Sequence, residues 1–339
     1  MMQTKILKCG DEKIAAEILK NDGLVALPTE TVYGLGANAL SENAVKKIFV
    51  AKGRPSDNPL ILHISEVNEI YDLITSFPEK AKILTKKFWP GPLTVILPKS
   101  KYVPKTTSGG LETVAIRLPS HSTMRKVIKY LGFPIAAPSA NISGKPSPTK
   151  FSHVLKDMNG KIDAIFDGGD CQIGLESTVI SFVDKSPRLL RPGKVTVEQI
   201  EGEIGKIVVD PAIMSDLKPM QKVISPGMKY KHYAPDAKVL IIDAPKEKYI
   251  EYVNSHRSPR TLSLCFDEDI ENICGKCLSF GKENDFDNQA NLFFDALRKI
   301  DDMHEIELVL ARCPKKSGVS LAVYNRLIRA AGFEVISLE

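Results

Sequence analysis

The chain has 339 residues, a net formal charge of +5, 43% hydrophobic and 26% charged side chains, a balance that belongs to folded globular proteins and excludes collagen-like, mucin-like and intrinsically disordered classes. Its length passes the size at which one hydrophobic core stops growing, so two domains are expected. No stretch approaches the ~20 apolar residues of a membrane span and the start MMQTKILKCGDEK lacks the apolar centre of a signal peptide, so a cytoplasmic protein with no membrane partner and six reduced cysteines is expected.

The first 210 residues alternate short apolar β-rich runs with helix-period segments. Strands are predicted at 24–27, 60–64, 93–97, 114–118, 134–137, 164–166 and 178–182. Ser41 opens a helical pattern through Ala44, Val45, Ile48 and Phe49, and Thr149 opens another through His153 and Leu155. This is an α/β pattern whose strand order cannot be read from periodicity. Four prolines and a run of Lys and Tyr in PAIMSDLKPMQKVISPGMKYKHYAPDAK then break the alternation and mark residues 211–235 as a linker. Beyond it KVLIID, RTLSLCF, IELVLARC and FEVISL read as strands separated by helices KEKYIEYVN, NQANLFFDALRKI and AVYNRLIRAAG. Helices of this length imply parallel crossovers and a small open-sheet, Rossmann-like domain over residues 236–339.

Several polar stretches punctuate this frame. Residues 1–210 carry 28 Lys and Arg against 22 Asp and Glu, whereas residues 236–339 carry 14 against 18. The positive excess suits an anionic ligand or RNA, and it also suits ordinary surface variation. PTETVYGLGANAL at 28–40 contains a loose G-x-G-x-x-A match, but the hydroxyl-rich PTETVY puts side chains instead of bare backbone at the strand end, and a tight strand-to-helix turn is the plainer reading. In KGRPSDNP, Pro55 and Pro59 end the preceding helix and stiffen an exposed loop. There Lys52 as a point charge and Arg54 as a planar fork suit a polyphosphate, while a solvated helix end fits the same residues.

In AAPSANISGKPS at 136–147, small residues and prolines let a ligand approach the backbone, and Ser139, Asn141, Ser143 and Ser147 offer neutral hydrogen-bonding groups. It is not a P-loop, because Gly144-Lys145 is followed by proline, and a polar surface turn is the alternative. Arg117 inside an apolar strand calls for a carboxylate partner, from a ligand or from an internal Asp or Glu. Cys274-Gly275-Lys276-Cys277 has zinc-type spacing without a second pair, the histidines form no cluster, and no metal ligand is assigned. The run Asp267-Glu268-Asp269 reads as a solvated loop.

Taken in order, PTETVYGLG, KGRPSDNPL, PGPLTVIL, AIRLP, APSANISGKPSPT, LESTVI and LRPG resemble the threonylcarbamoyl-AMP synthase family, whose catalytic part is the YrdC-type domain. The linker SPGMKYKHYAP and the small C-terminal α/β domain resemble the long form of that family. The resemblance implies a twisted mixed sheet with helices around a concave basic cavity over residues 1–210. It implies synthesis of threonylcarbamoyl-AMP and pyrophosphate from L-threonine, bicarbonate and ATP with Mg2+, for a downstream threonylcarbamoyl transferase that modifies tRNA beside the anticodon. By the same resemblance Lys52 and Arg54 are catalytic, and Thr31, His63, Arg117 and Ser177 surround threonine. Arg54, Asn58, Thr113, Ser139, Asn141, Ser147, Arg191, Tyr230 and His232 hold ATP, and Arg117 pairs with the substrate carboxylate.

Lys229, Tyr230, Lys231, His232 and Tyr233 follow a bend at Pro226-Gly227, and this segment is expected to fold over the cavity as a lid; a passive connector is the alternative. A double-stranded or ribosomal RNA binding module without chemistry is the rival class, with weak tRNA contact also compatible with the enzyme. The hydroxyls and amides beside Lys52 and Arg54, and an aromatic content of 7%, favour a small ligand. An enzyme using carbamoyl phosphate is a second rival, disfavoured because no acylphosphatase-like or zinc-finger segment is seen.

Overall fold

The structure, a computed structural model, describes residues 3–214 and 233–339. Its strands are β1 (Lys5–Leu7), β2 (Val25–Leu27), β3 (Gly34–Asn38), β4 (Ile61–His63), β5 (Leu93–Pro98), β6 (Thr113–Arg117), β7 (Ile135–Ala136), β8 (Ala164–Phe166), β9 (Thr178–Ser181), β10 (Arg188–Arg191), β11 (Val208–Val209), β12 (Lys238–Asp243), β13 (Thr261–Cys265), β14 (Lys276–Ser279), β15 (Leu308–Arg312) and β16 (Val335–Ser337). Helices are α1 (Glu12–Lys20), α2 (Glu42–Lys52), α3 (Ile70–Leu73), α4 (Glu79–Phe88), α5 (Ser122–Leu131), α6 (Phe151–Met158), α7 (Val197–Ile204), α8 (Lys246–Ser255), α9 (Phe286–Asp302) and α10 (Ser320–Ala330).

The first eleven strands form one mixed sheet in the order β1-β8-β2-β3-β7-β4-β6-β5-β9-β10-β11, and the last five form a second sheet, β14-β13-β15-β12-β16. Every pairing in the second sheet is parallel, as its strand-helix alternation requires. The first sheet mixes parallel pairs such as β4 with β6 and antiparallel ones such as β5 with β6. Its middle strands read as almost continuous apolar runs because both faces are covered: Leu93, Val95, Leu97, Ile116 and Ile135 have essentially no exposure. One covering layer pairs α1 with α5, where Ala15, Ala16 and Leu19 meet Met124, Val127, Ile128 and Leu131 at helical spacing.

Local chemistry sets several boundaries. Ser41 caps α2 by accepting from the Ala44 amide, and Gly53 closes the same helix at φ 62°, in the left-handed region. Pro55 therefore lies beyond a helix already ended by glycine. Three readings from sequence are corrected. Thr149 does not cap α6: Lys150 occupies that position, while the Thr149 amide donates to His153 Nδ1 at 3.3 Å. Gly34–Asn38, read as a turn, is strand β3 running antiparallel to β2, so PTETVY is a loop between strands. Asp269, read as solvated, lies in a 3-10 turn with no exposure, 2.5 Å from Arg312 of β15. There it satisfies a buried arginine.

The second sheet meets the first through α9 and α10. Arg298 of α9 pairs with Asp157 of α6 at 2.8 Å and donates to the Pro146 carbonyl at 2.6 Å. Asn325 of α10 donates to the Ile213 carbonyl at 2.7 Å. Val32 and Leu175 sit in the apolar cluster of the second unit, with Phe293, Phe294 and Leu327. Gly174, at φ 80°, lies so close to α9 that a Cβ would come 2.5 Å from the Asn291 Cα. No helix of the described residues is long and apolar enough to cross a membrane.

Candidate active site

Strand ends and loops converge on one open cavity, which with the solvent space at its mouth measures about 750 Å3. Thr31 and Gly34 enter from the loop into β3, Lys52 and Arg54 from the end of α2, and His63 and Arg117 from the C-terminal ends of β4 and β6. Ser139, Asn141 and Gly144 come from the loop after β7, Ser177 from the start of β9 and Arg191 from the end of β10. His63 and Arg117 are register partners on neighbouring parallel strands, so their side chains emerge on the same face.

Lys52 is buried, which removes the solvated helix end as its explanation. Its ammonium donates to the Ser139 carbonyl at 2.5 Å, the Asn141 carbonyl at 2.6 Å and Asn141 Oδ1 at 3.3 Å. An ammonium has three donors, so Lys52 serves chiefly as the clamp that holds the 139–141 loop open toward the cavity. Desolvation, and then the nearby Arg54, lower its pKa well below the ordinary lysine value. Ser139 donates to Asn141 Oδ1, and Asn141 Nδ2 donates to the Ile142 and Lys145 carbonyls at 2.9 and 2.7 Å, completing a wired loop.

Arg54 is half-buried, donates to the Pro59 carbonyl at 3.4 Å and keeps a buried Nε with no hydrogen-bond partner among the described residues. Burial draws its pKa down to about 10, so it remains a cation at neutral pH. Arg191 donates through Nε to the Ser177 carbonyl at 3.0 Å and through Nη2 to Ser177 Oγ at 3.2 Å. Ser177 Oγ is also 2.7 Å from Thr94 Oγ1. Gly193 makes this approach feasible, because a Cβ there would meet the Thr178 amide at 2.4 Å.

The partner that Arg117 calls for is internal: Glu30 Oε1 lies 2.7 Å from Arg117 Nη2, and both side chains are buried. The alignment is too poor for a hydrogen bond, since Arg117 Nη2 and both Glu30 oxygens lack one among the described residues. His63 is buried, and desolvation, then Arg117, hold its pKa down to about 3, so its imidazole is neutral. Thr29 Oγ1 donates to the Val32 carbonyl at 2.6 Å and lies 2.8 Å from Thr31 Oγ1. That pair fixes the Thr31 hydroxyl at the cavity wall.

Nine of the residues expected at the site thus line one cavity: Thr31, Lys52, Arg54, His63, Arg117, Ser139, Asn141, Ser177 and Arg191. Three do not. Ser147 has no exposure and donates to Glu176 Oε1 at 2.5 Å, Asn58 is buried outside the lining, and Thr113 begins β6 at the end away from Arg117. Tyr230 and His232, with most of the expected lid, lie outside the described residues. Tyr233 is described: it lines the cavity with φ 67° and rests on Phe294, ring centroids 5.2 Å apart.

Sequence reasoning missed Glu30 and Glu176. Neither has a signal beyond being acidic in a hydroxyl-rich stretch, and burial is what makes each unusual. Among the described residues no group of three His, Cys, Asp or Glu could hold a metal ion.

Comparison with known proteins identifies the family to which the fold belongs. Residues 17–193 match the family model described as telomere recombination, and residues 195–332 match that of the threonylcarbamoyl-AMP synthase C-terminal domain. The chain is 46% identical to the threonylcarbamoyl-AMP synthase of Pyrococcus abyssi, covering 96% of this chain and 95% of the relative. It is 47% identical to that of Bacillus subtilis, covering 98% and 97%. The solved structure of the P. abyssi Sua5 protein complexed with L-threonine superposes with a TM-score of 0.92 at 43% identity, over 99% of this chain and 100% of that one. By both family models and by near full-length similarity, this chain belongs to the threonylcarbamoyl-AMP synthase family.

Proposed function

We propose that this chain acts as a nucleotidyltransferase. The threonine amine attacks bicarbonate to give a carbamate with loss of water. A carbamate oxygen then attacks the α-phosphorus of ATP, forming threonylcarbamoyl-AMP and releasing pyrophosphate for tRNA modification by a downstream transferase. The observation that supports it is the meeting, in one cavity, of a neutral polar set around Arg117 with the cations Arg54 and Arg191.

Thr31, neutral His63, Arg117 and Ser177 form the threonine side of this reading. Glu30 holds Arg117 from behind, and its guanidinium takes the substrate carboxylate. Arg54, Arg191, Ser139 and Asn141 form the nucleotide side. Anion meets anion in the second step, so the guanidinium groups screen the triphosphate as charge moves to the leaving pyrophosphate. Lys52 contributes by holding the Ser139-Asn141 loop, and positioning in place of a dedicated base brings carbamate and phosphorus together. Magnesium would screen the phosphates. The described residues do not fit a protein-held ion, because Glu176, the lining carboxylate, is already taken up by Ser147 and Arg326, and it is expected to travel with the nucleotide.

Mass spectrometry of the products formed from ATP, bicarbonate and threonine, serine or valine tests the reading. Threonylcarbamoyl-AMP is expected, with serine weakened by only its lost methyl, worth about 1–3 kcal/mol, and valine rejected far more strongly because it leaves buried hydroxyls unpaired. Equal use of valine refutes the pocket assignment. Steeply salt-dependent RNA binding without ATP consumption refutes the enzyme reading.

A further inference from the structure

Among the described residues Arg326 heads the fully buried side chains by size and belongs to α10 of the second unit. Besides contacts within α10, to the Ala322 carbonyl at 3.5 Å and Asn325 Oδ1 at 3.3 Å, it reaches across to the first. Its Nε donates to Glu176 Oε2 at 3.1 Å and its Nη2 to the Glu176 carbonyl at 3.3 Å. Its Nη1 donates to the carbonyl of Pro192, the residue after Arg191. Among the described residues four cations line the cavity, Lys52, Arg54, Arg117 and Arg191, and a single carboxylate does so, Glu176.

Burial alone would raise the Glu176 carboxyl, but Arg326, then Arg191 and Ser147, bring it below the usual range, so it is ionised at neutral pH. An anion at this wall, left uncompensated, repels phosphate in a medium of low dielectric and draws on the charge of Arg191. We propose that Arg326 is a positioning residue for the nucleotide side of the site: it neutralises Glu176 so that Arg54 and Arg191 keep their charge for an anionic phosphate ligand. It also ties together the chain segments that carry Glu176-Ser177 and Arg191. The second unit thereby supports from behind a wall whose described lining, Tyr233 apart, comes from the first. This rests on the proposed use of ATP.

Titration calorimetry on the full-length chain with ATP, and separately with threonine, tests it in wild type, Arg326→Met and Arg326→Met/Glu176→Gln. Arg326→Met is expected to weaken ATP about 10- to 100-fold, while threonine, of no net charge, changes less than about threefold. Adding Glu176→Gln removes the lone anion and is expected to return ATP affinity to within about threefold of wild type. Unchanged ATP affinity in Arg326→Met overturns the proposal. So do equal losses for both ligands that Glu176→Gln does not reverse, which mark a packing role. If Arg326→Met does not fold, the double variant, which buries no lone charge, decides: near wild-type ATP binding supports the proposal, and a loss of about tenfold or more overturns it. Wild type failing to bind ATP sinks the nucleotide reading itself, an outcome distinct from these.

Discussion

Two side chains at the cavity show how burial converts residue type into chemistry. Arg54 presents a planar fork, and lysine in its place keeps the charge but cannot span two phosphate oxygens. Arg54→Lys is expected to lower turnover about a hundredfold with an unchanged melting temperature, because the side chain carries little of the core. Wild-type turnover in that variant would reduce Arg54 to a helix-end charge. His63 reports the same burial through pH. Its pKa falls from the ordinary 6.5 to about 3 on folding, so between these values the unfolded chain binds more protons than the folded one. Its contribution to stability is intact above pH 6.5 and is lost as pH falls toward 3. Melting temperatures of wild type and His63→Gln across that window should therefore diverge, the variant showing the shallower acid dependence; parallel curves would contradict the neutral, buried state of His63.

Among the elements, the loop before β9 is the piece most tightly specified by its neighbour. Gly174 has a φ that L side chains rarely adopt and presses against α9, where Asn291 Nδ2 donates to the Cys171 and Gln172 carbonyls, both at 2.9 Å. Gly174→Ala must strain the backbone and push α9 away, at an expected cost of about 2–4 kcal/mol. Chemical denaturation measures this, and a cost below about 1 kcal/mol would show that the contact yields freely. At the other side of the cavity, α2 delivers Lys52 from a start fixed by Ser41. Ser41→Ala is expected to cost about 1 kcal/mol without moving the far end, so stability falls while ligand affinities hold.

At the scale of the whole molecule, the two sheets are joined by buried charge as well as by apolar surface. Arg298 and Asp157 are both nine-tenths buried and reach each other across that junction. Asp157→Ala strands the guanidinium, with an expected loss of about 3–5 kcal/mol. Since the lost contact is between the units and in the core of neither, calorimetry is expected to show the two sheets melting in separate transitions where wild type melts in one. A single transition at the wild-type temperature would mean that the junction contributes little to cooperativity.

The alternation of apolar runs and helix periods determined by itself that the chain is α/β and that the C-terminal sheet is parallel. Period and crossover length are local properties written in consecutive residues. Composition of the loops likewise announced Lys52, Arg54, Ser139 and Asn141 as ligand-facing candidates, while Arg191 entered only through the family resemblance. Tertiary structure alone decided the order of the eleven strands, because pairing joins residues far apart in the chain, as β1 joins β8. It alone decided that Lys52 is a clamp, that Glu30 answers Arg117, that Ser147 acts through Glu176, and that Arg326, some 150 residues further on, closes the same wall. Each depends on which side chains lose water together, and desolvation is a property of the assembled core that no single segment carries.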